Sequence, residues 1–172
     1  VVSPAAQAVF KTELEIDVDL DVLDVDQLLA DGRRRLAEMG AAPLSAASRR
    51  GRVNYYHYQN LMAPIASGSH PTQGMVICPC SGGTTSAIAH AASTNLLHRA
   101  ADVHLKERRP LVLVPRETPL STIQLENLQR CAQAGAVVLP AMPGWYHAPK
   151  TLADLVDFIV ARICDQLHVE QS

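Results

Sequence analysis

Three short apolar runs, Met75 to Cys78, Leu111 to Val114 and Ala136 to Leu139, punctuate the second half of the chain with no polar alternation. A strand with one wet face alternates apolar and polar side chains, so unbroken runs of this length predict strands covered on both faces. Longer stretches of helical pattern, Thr84 to Arg108 and Thr122 to Ala134, separate the runs, and a third, Thr151 to Leu167, comes after the last. Strands separated by helices form βαβ crossovers. The pattern therefore predicts an α/β fold, a parallel sheet with helices on both faces.

The first half is more polar. Ala5, Ala6, Val9 and Phe10 fall at helical spacing between Ser3 and Glu13, with Ser3 suited to the N-cap and Pro4 to the first helical position. Val1 and Val2, ahead of that cap, read as the end of a strand, so the sequence is expected to be incomplete at its N-terminus. Glu15 to Asp26 alternates acids with Ile16, Val18, Leu20 and Val22, a period of two that predicts an exposed strand with a solvated acidic face. Helical spacing returns from Asp24 to Met39, with Leu28, Leu29 and Leu36 on one side, Arg33, Arg34 and Arg35 in its later part, and Gly40 closing it. Ala41 to Gly51 reads as a surface loop, Val53 to Tyr58 as a short strand, and Ser69-His70-Pro71 as a turn.

At 172 residues, 48% of them hydrophobic, the chain has one domain's worth of sequence, expected to span 1–172. With 19% charged residues and a formal net charge of −2, neither disorder nor broad electrostatic capture of nucleic acid is expected. Lys11, Arg34, Lys106 and their neighbours interrupt every apolar stretch short of the roughly 18 residues of a membrane span, and no signal peptide is visible. A cytoplasmic protein without membrane segments is the expectation. Of the four cysteines, Cys78, Cys80, Cys131 and Cys164, the first pair reads as core thiols. Cys78-Pro79-Cys80 lacks Cys-x-x-Cys spacing and a matching downstream pair, and the seven histidines show no ligand spacing, so no metal is expected.

Open parallel sheets bind ligands at the carboxyl ends of their strands, which directs attention to the residues just beyond each apolar run. After the first comes Pro79-Cys80-Ser81-Gly82-Gly83-Thr84-Thr85. Small residues and hydroxyls leading into a helix suit a phosphate or the polar edge of a ring, and equally an ordinary capped turn. After the second, Arg116 and Glu117 make either a binding pair or a structural ion pair; as an acid or base, Glu117 would be pushed up by burial or held down by Arg116. After the third, Trp145 and Tyr146 beside Pro143-Gly144 form either an aromatic wall for a planar ligand or packing under a loop. Arg99 and Lys106 stand nearly two helical turns apart on one stripe, where they hold a phosphate or simply face solvent.

Taken together, Ala66-Ser67-Gly68-Ser69, Met75-Val76-Ile77-Cys78-Pro79-Cys80-Ser81, Arg99-Ala100-Ala101-Asp102-Val103, and the string from Leu105-Lys106-Glu107-Arg108-Arg109-Pro110 through Val114-Pro115-Arg116-Glu117 resemble the flavin prenyltransferases, the UbiX family. Gly144-Trp145-Tyr146-His147 and the closing helix through Arg162 continue the match. The resemblance implies a Rossmann-like, flavodoxin-type three-layer sandwich that joins a dimethylallyl group to N5 and C6 of reduced FMN without a metal. It further implies a dodecamer with sites at subunit interfaces, and a UbiD-type decarboxylase as recipient of the prenylated FMN. By motif, Ser81, Gly82, Gly83, Thr84, Arg116 and Ser3 would meet FMN. Tyr146, Arg162, Arg99 and Lys106 would bind dimethylallyl phosphate. Glu117 would act as acid and base, Ser67 would relay protons, and Glu13 would help to hold the phosphate site. The family's first strand with its Gly-Ala-Ser-Gly loop would precede Val1, and its C-terminal tail would come after Ser172. Two other readings compete with this one: a cysteine decarboxylase on the same flavoprotein scaffold, whose usual substrate clamp is not found here, and a non-catalytic flavin-binding subunit.

Overall fold

The computed structural model describes residues 1–42 and 51–170. The chain divides into two units, one comprising Val1–Tyr58 and Gly144–Asp157, the other Gln59–Pro143 and Phe158–Ser172.

The second unit holds the sheet. Strands β1 (Met75–Cys80), β2 (Leu111–Pro115) and β3 (Val137–Val138) lie in the order β1-β2-β3, all parallel, with Met75 opposite Leu111 and Val112 opposite Val137. β2, the middle strand, is buried along its whole length, as its uninterrupted Leu-Val-Leu-Val sequence predicts. Successive side chains point to opposite faces. On one face Ile77, Leu111 and Leu113 pack with Ile88 of α3 (Gly82–Ala89), Ala101 of α4 (Leu96–Lys106) and Cys131 of α5 (Thr122–Gln133). On the other, Val112 and Val114 pack against Ile163, Ile159 and Leu167 of α6 (Leu152–Leu167). Helices on both faces of a parallel sheet make the α/β three-layer sandwich expected from the sequence.

Three details differ from that expectation. β1 is covered on one face only, with Ile77 buried and Val76 and Cys78 exposed. The stretch from Thr84 to Arg108 is two helices: α3 ends at Ala89, Ala91 adopts a left-handed φ of 52°, and Asn95 caps α4 by accepting the His98 N–H at 2.9 Å. The Ser93-Thr94-Asn95 sequence supplies the capping chemistry for a new start. β3 is only two residues long, although backbone bonds from Leu139 to Leu113 (2.8 Å) and from Ala141 to Pro115 (3.0 Å) carry the chain on beside β2.

In the first unit, α1 (Pro4–Leu14) starts as its sequence predicts, with the Ser3 hydroxyl accepting the Ala6 N–H at 3.1 Å. α2 (Val25–Glu38) is capped by Asp24, which accepts from Gln27 N at 3.0 Å, and Gly40 lies just beyond it at φ +95°. A side chain at Gly40 would also collide with Thr151, 2.8 Å from the position of its Cβ. Leu28 and Leu36 are half-buried, whereas Leu29 is exposed.

Glu15 to Asp26 forms no strand among the described residues, and neither does Val53 to Tyr58. The period of two is nevertheless real: Ile16, Val18 and Leu20 are buried, while Glu15, Asp17 and Asp19 are exposed. No neighbouring strand among the described residues supplies the partners. Instead the Gln7 side chain donates to the Val18 carbonyl (2.6 Å), the Tyr55 hydroxyl donates to the Leu20 carbonyl (2.8 Å), and Ile16 N bonds Phe10 O (3.0 Å). Most of the expected loop from Ala41 to Gly51, residues 43–50, lies outside the described residues. Among the described residues no helix is long and apolar enough to cross a membrane.

Candidate functional site

β1 delivers the chain to Ser81 at the carboxyl edge of the sheet. The Ser81 hydroxyl accepts the Thr84 N–H at 3.3 Å and donates to the Thr84 hydroxyl at 3.1 Å, while its carbonyl accepts from the Thr85 N–H (2.9 Å) and the Thr85 hydroxyl (3.1 Å). The two glycines next in the chain differ. A Cβ on Gly82 would lie 3.0 Å from the Gln124 amide nitrogen, whereas a Cβ on Gly83 would meet nothing within 4 Å. Gly82 is therefore fitted to its neighbour, and Gly83 faces open space. A helix start leaves N–H groups without intrahelical partners and carries partial positive charge, so this turn suits an anion or the polar edge of a ring.

β2 ends beside it. Arg116 and Glu117 come directly after Pro115 and are exposed. Glu117, Gly82, Thr85, Gln124 and Asn127 line one cavity of about 10 Å³, room for a single water and far too small for a ring system. The cavity is therefore not itself a pocket for such a ligand. Gln124 links the two loops: its amide oxygen accepts the Ser121 N–H at 2.8 Å, the Ser121 hydroxyl accepts the Gln124 N–H at 3.2 Å, and its amide nitrogen faces Gly82.

Further along, the segment carrying Ser67 lies against α4. The Ser67 and Ser69 hydroxyls are 2.8 Å apart. Arg99 donates from Nε to the Ala66 carbonyl at 3.0 Å, and pairs with Asp102 at 3.0 Å. Lys106 occupies the opposite end of α4, paired with Glu107 at 3.5 Å, in a groove of about 700 Å³ that includes Pro110 and Val137, at the amino ends of β2 and β3. Arg162 pairs with Asp165 at 2.7 Å in a groove of about 310 Å³ beside Leu139 and Pro140.

Within this unit, then, Ser81, Gly82, Gly83, Thr84, Arg116 and Glu117 share the carboxyl edge, and Arg99 holds the residue before Ser67 through the Ala66 carbonyl. Lys106 does not join Glu117: Lys106 lies beside the amino end of β2 and Glu117 follows its carboxyl end, with the five residues of β2, about 13 Å of strand, between them. In the other unit Ser3 is the cap of α1, Glu13 is exposed on that helix, and Tyr146 is exposed and edge-on to His147 with centroids 5.7 Å apart. Trp145 is exposed as well.

Two contributors escape a reading of the sequence by motif. Asp102, which holds Arg99, is legible as the carboxylate three residues along the same helix. Gln124 is legible in the Ser121-x-x-Gln124 capping box, but its approach to Gly82 is a tertiary fact. Of the two cysteines expected in the core, Cys80 is buried and Cys78 is exposed, so the expectation holds for one and fails for the other. Desolvation by the surrounding chain raises the Cys80 thiol and, although Cys78 is an exposed residue, its thiol as well, and it pushes Cys131 up to about 11, which keeps all three protonated and poor as nucleophiles or metal ligands.

A sequence profile of the Flavoprotein family matches residues 1–164, and the chain belongs to that family. It is 46% identical over 172 residues to the flavin prenyltransferase UbiX of Halalkalibacterium halodurans, an alignment covering all of this chain and 75% of that protein. The solved structure of AnUbiX in complex with FMN and dimethylallyl pyrophosphate superimposes with a TM-score of 0.76 at 32% identity, over 99% of this chain and 79% of that one. A dodecameric FMN-dependent UbiX-like decarboxylase from Escherichia coli O157:H7 gives 0.75 at 35% identity, over 98% and 78%. Within the flavoproteins this chain stands among the flavin prenyltransferases, and it is a prenyltransferase enzyme.

Proposed function

We propose that the chain transfers a dimethylallyl group from dimethylallyl phosphate to N5 and C6 of reduced FMN, yielding prenylated FMN for a UbiD-type decarboxylase. The observation that carries this reading is the meeting of a glycine-bearing helix start and a carboxylate, Gly82 and Glu117, at one carboxyl edge. Open space over Gly83 fits a planar group brought close to the backbone. Ser81, Gly82, Gly83 and Thr84 hold the flavin, with Arg116 and Ser3 assisting. Reduced FMN, when bound, supplies the electron-rich N5 and C6 that accept the allyl group.

Breaking the allylic C–O bond leaves an allyl cation and a phosphate, so both charges need stabilising. Arg99, Lys106 and Arg162 match the negative charge that grows on the departing phosphate, as preorganised donors do. Tyr146 borders the dimethylallyl group, where an aromatic face attracts the cation by about 0.5–2 kcal/mol. Ser67 relays a proton, Glu13 steadies the phosphate site, and Glu117 takes the proton that C6 sheds on ring closure.

The placement of Lys106 and Glu117 at opposite ends of β2 supports a site assembled from more than one copy of the chain. A homo-oligomer satisfies that requirement, and the Escherichia coli neighbour is itself dodecameric.

Inorganic phosphate release tests the reading. With dimethylallyl phosphate as donor, release is expected only when reduced FMN is present and in equal amount to the flavin consumed; release without flavin marks a phosphatase and contradicts it. Flavin binding gives a second check through the glycines. Gly83→Ala is expected to leave the melting temperature unchanged or higher, because open space accepts the methyl and alanine favours helix by about 1 kcal/mol. Its FMN affinity should nevertheless fall at least about tenfold, the cost of a methyl placed where the ring must approach. Undiminished FMN affinity in a titration of this variant would remove Gly83 from the flavin site.

A further inference from the structure

His104 is almost wholly buried on α4 and has no part in the prenyl-transfer chemistry. Its Nδ1 lies 2.8 Å from the Ala100 carbonyl oxygen, which can only accept, so this nitrogen donates. In the tautomer with its proton on Nδ1, Nε2 is an acceptor, and the Thr72 hydroxyl, 3.0 Å away, donates to it. The Thr72 oxygen in turn accepts an N–H from Arg109 at 3.4 Å. The same guanidinium donates to the His70 carbonyl at 2.7 Å and to the Gly68 carbonyl at 2.5 Å. One directional chain of hydrogen bonds thus runs from Arg109 through Thr72 and His104 to Ala100. At the other end of the segment, Arg99 holds the Ala66 carbonyl, and Gly68 lies so close to the Glu107 carboxylate that a Cβ would overlap it.

We propose that Thr72, His104 and Arg109 are positioning residues that lock the segment from Ala66 to Thr72 onto α4 and so fix the place of the Ser67 hydroxyl. This rests on the reading of Ser67 as a proton relay in prenyl transfer. A hydroxyl that moves a proton must sit within hydrogen-bond reach of its partners, and misplacement by about 1 Å costs up to a hundredfold in rate. The segment has no regular secondary structure beyond one 3-10 turn at Pro64–Ala66 to hold it. Its register therefore depends on the side chains of α4 and on Arg109 just beyond that helix, with the buried imidazole as anchor.

Thr72→Val keeps the side-chain shape and deletes the hydroxyl, leaving His104 Nε2 and Arg109 each short of a partner. Amide hydrogen exchange from Ser67 to Thr72 should accelerate about tenfold or more, with α3 and α5 unchanged. In the assembled enzyme kcat should fall about tenfold with KM for dimethylallyl phosphate and FMN affinity unmoved, and Thr72→Ser should restore both exchange and turnover. In a Ser67→Ala background, Thr72→Val should cost nothing further, because its effect passes through that hydroxyl. Unchanged exchange in Ser67–Thr72, exchange that rises while kcat holds, or an additive loss in the Ser67→Ala background would each overturn the proposal. Absence of prenylated flavin from the unsubstituted enzyme would instead defeat the functional reading, and the exchange measurement would still decide whether the lock exists.

Discussion

Glu117→Gln is expected to bind FMN as tightly as the unsubstituted enzyme while forming prenylated flavin about 10²- to 10⁴-fold more slowly, the range typical of a lost general acid or base. The side chain is exposed at the end of β2, so its replacement by an amide of the same shape leaves the core untouched. The backbone proposed to cradle the flavin comes from a different loop, Ser81 to Thr84. Affinity and turnover should therefore separate cleanly. Flavin titration and single-turnover product analysis on the same preparation check this. Full turnover by the variant would remove Glu117 from the proton transfer, and an equal loss of flavin affinity would make its role one of binding.

The second large effect concerns Lys106. Lys106→Ala is expected to raise the dimethylallyl phosphate requirement about tenfold to a hundredfold, as deletion of a hydrogen bond to a charged group does, with flavin affinity unchanged. Because Lys106 and Glu117 stand at opposite edges of the sheet, each active site should draw them from different copies. Lys106→Ala and Glu117→Gln proteins, each impaired alone, should then complement one another when dissociated, mixed in equal amounts and reassembled. About a quarter of the sites would carry both original residues if copies combine at random. No recovery in an oligomer shown to have exchanged subunits would mean that the two residues do not meet across an interface.

How far the sequence announces these features depends on the kind of interaction involved. Leu111 to Val114 can be assigned to a doubly covered strand because burial on both faces leaves no polar alternation, and the strand is buried throughout. Caps are equally legible, Ser3 and Gly40 among them, because they depend on chemistry a few residues away. Glu15 to Asp26 shows where local reading stops. Its period of two correctly marks Ile16, Val18 and Leu20 as inward-facing, but a strand needs a partner, and here Gln7 and Tyr55 take the carbonyls instead.

At the site the same division holds. The glycine turn and the Arg116-Glu117 pair come directly after apolar runs, and the rule that ligands gather at strand ends locates both. The roles proposed for Arg99, Lys106 and Arg162 rest on the family resemblance, because spacing alone leaves them open. What spacing misses is distance across the sheet. Seven residues along α4 place Arg99 and Lys106 on one stripe yet about 10 Å apart, and the second lies at the edge remote from Glu117. Gln124 against Gly82 and Thr72 against His104 join positions tens of residues apart in the chain, which no periodicity encodes.

The mass of the flavin itself gives the most direct test. The assembled protein is incubated with reduced FMN and dimethylallyl phosphate under exclusion of oxygen, and the flavin is extracted and weighed by mass spectrometry. A gain corresponding to one five-carbon prenyl unit is the predicted result, and it should disappear when the donor is omitted. FMN recovered at its original mass, from protein shown to be oligomeric and flavin-bound, would contradict the account.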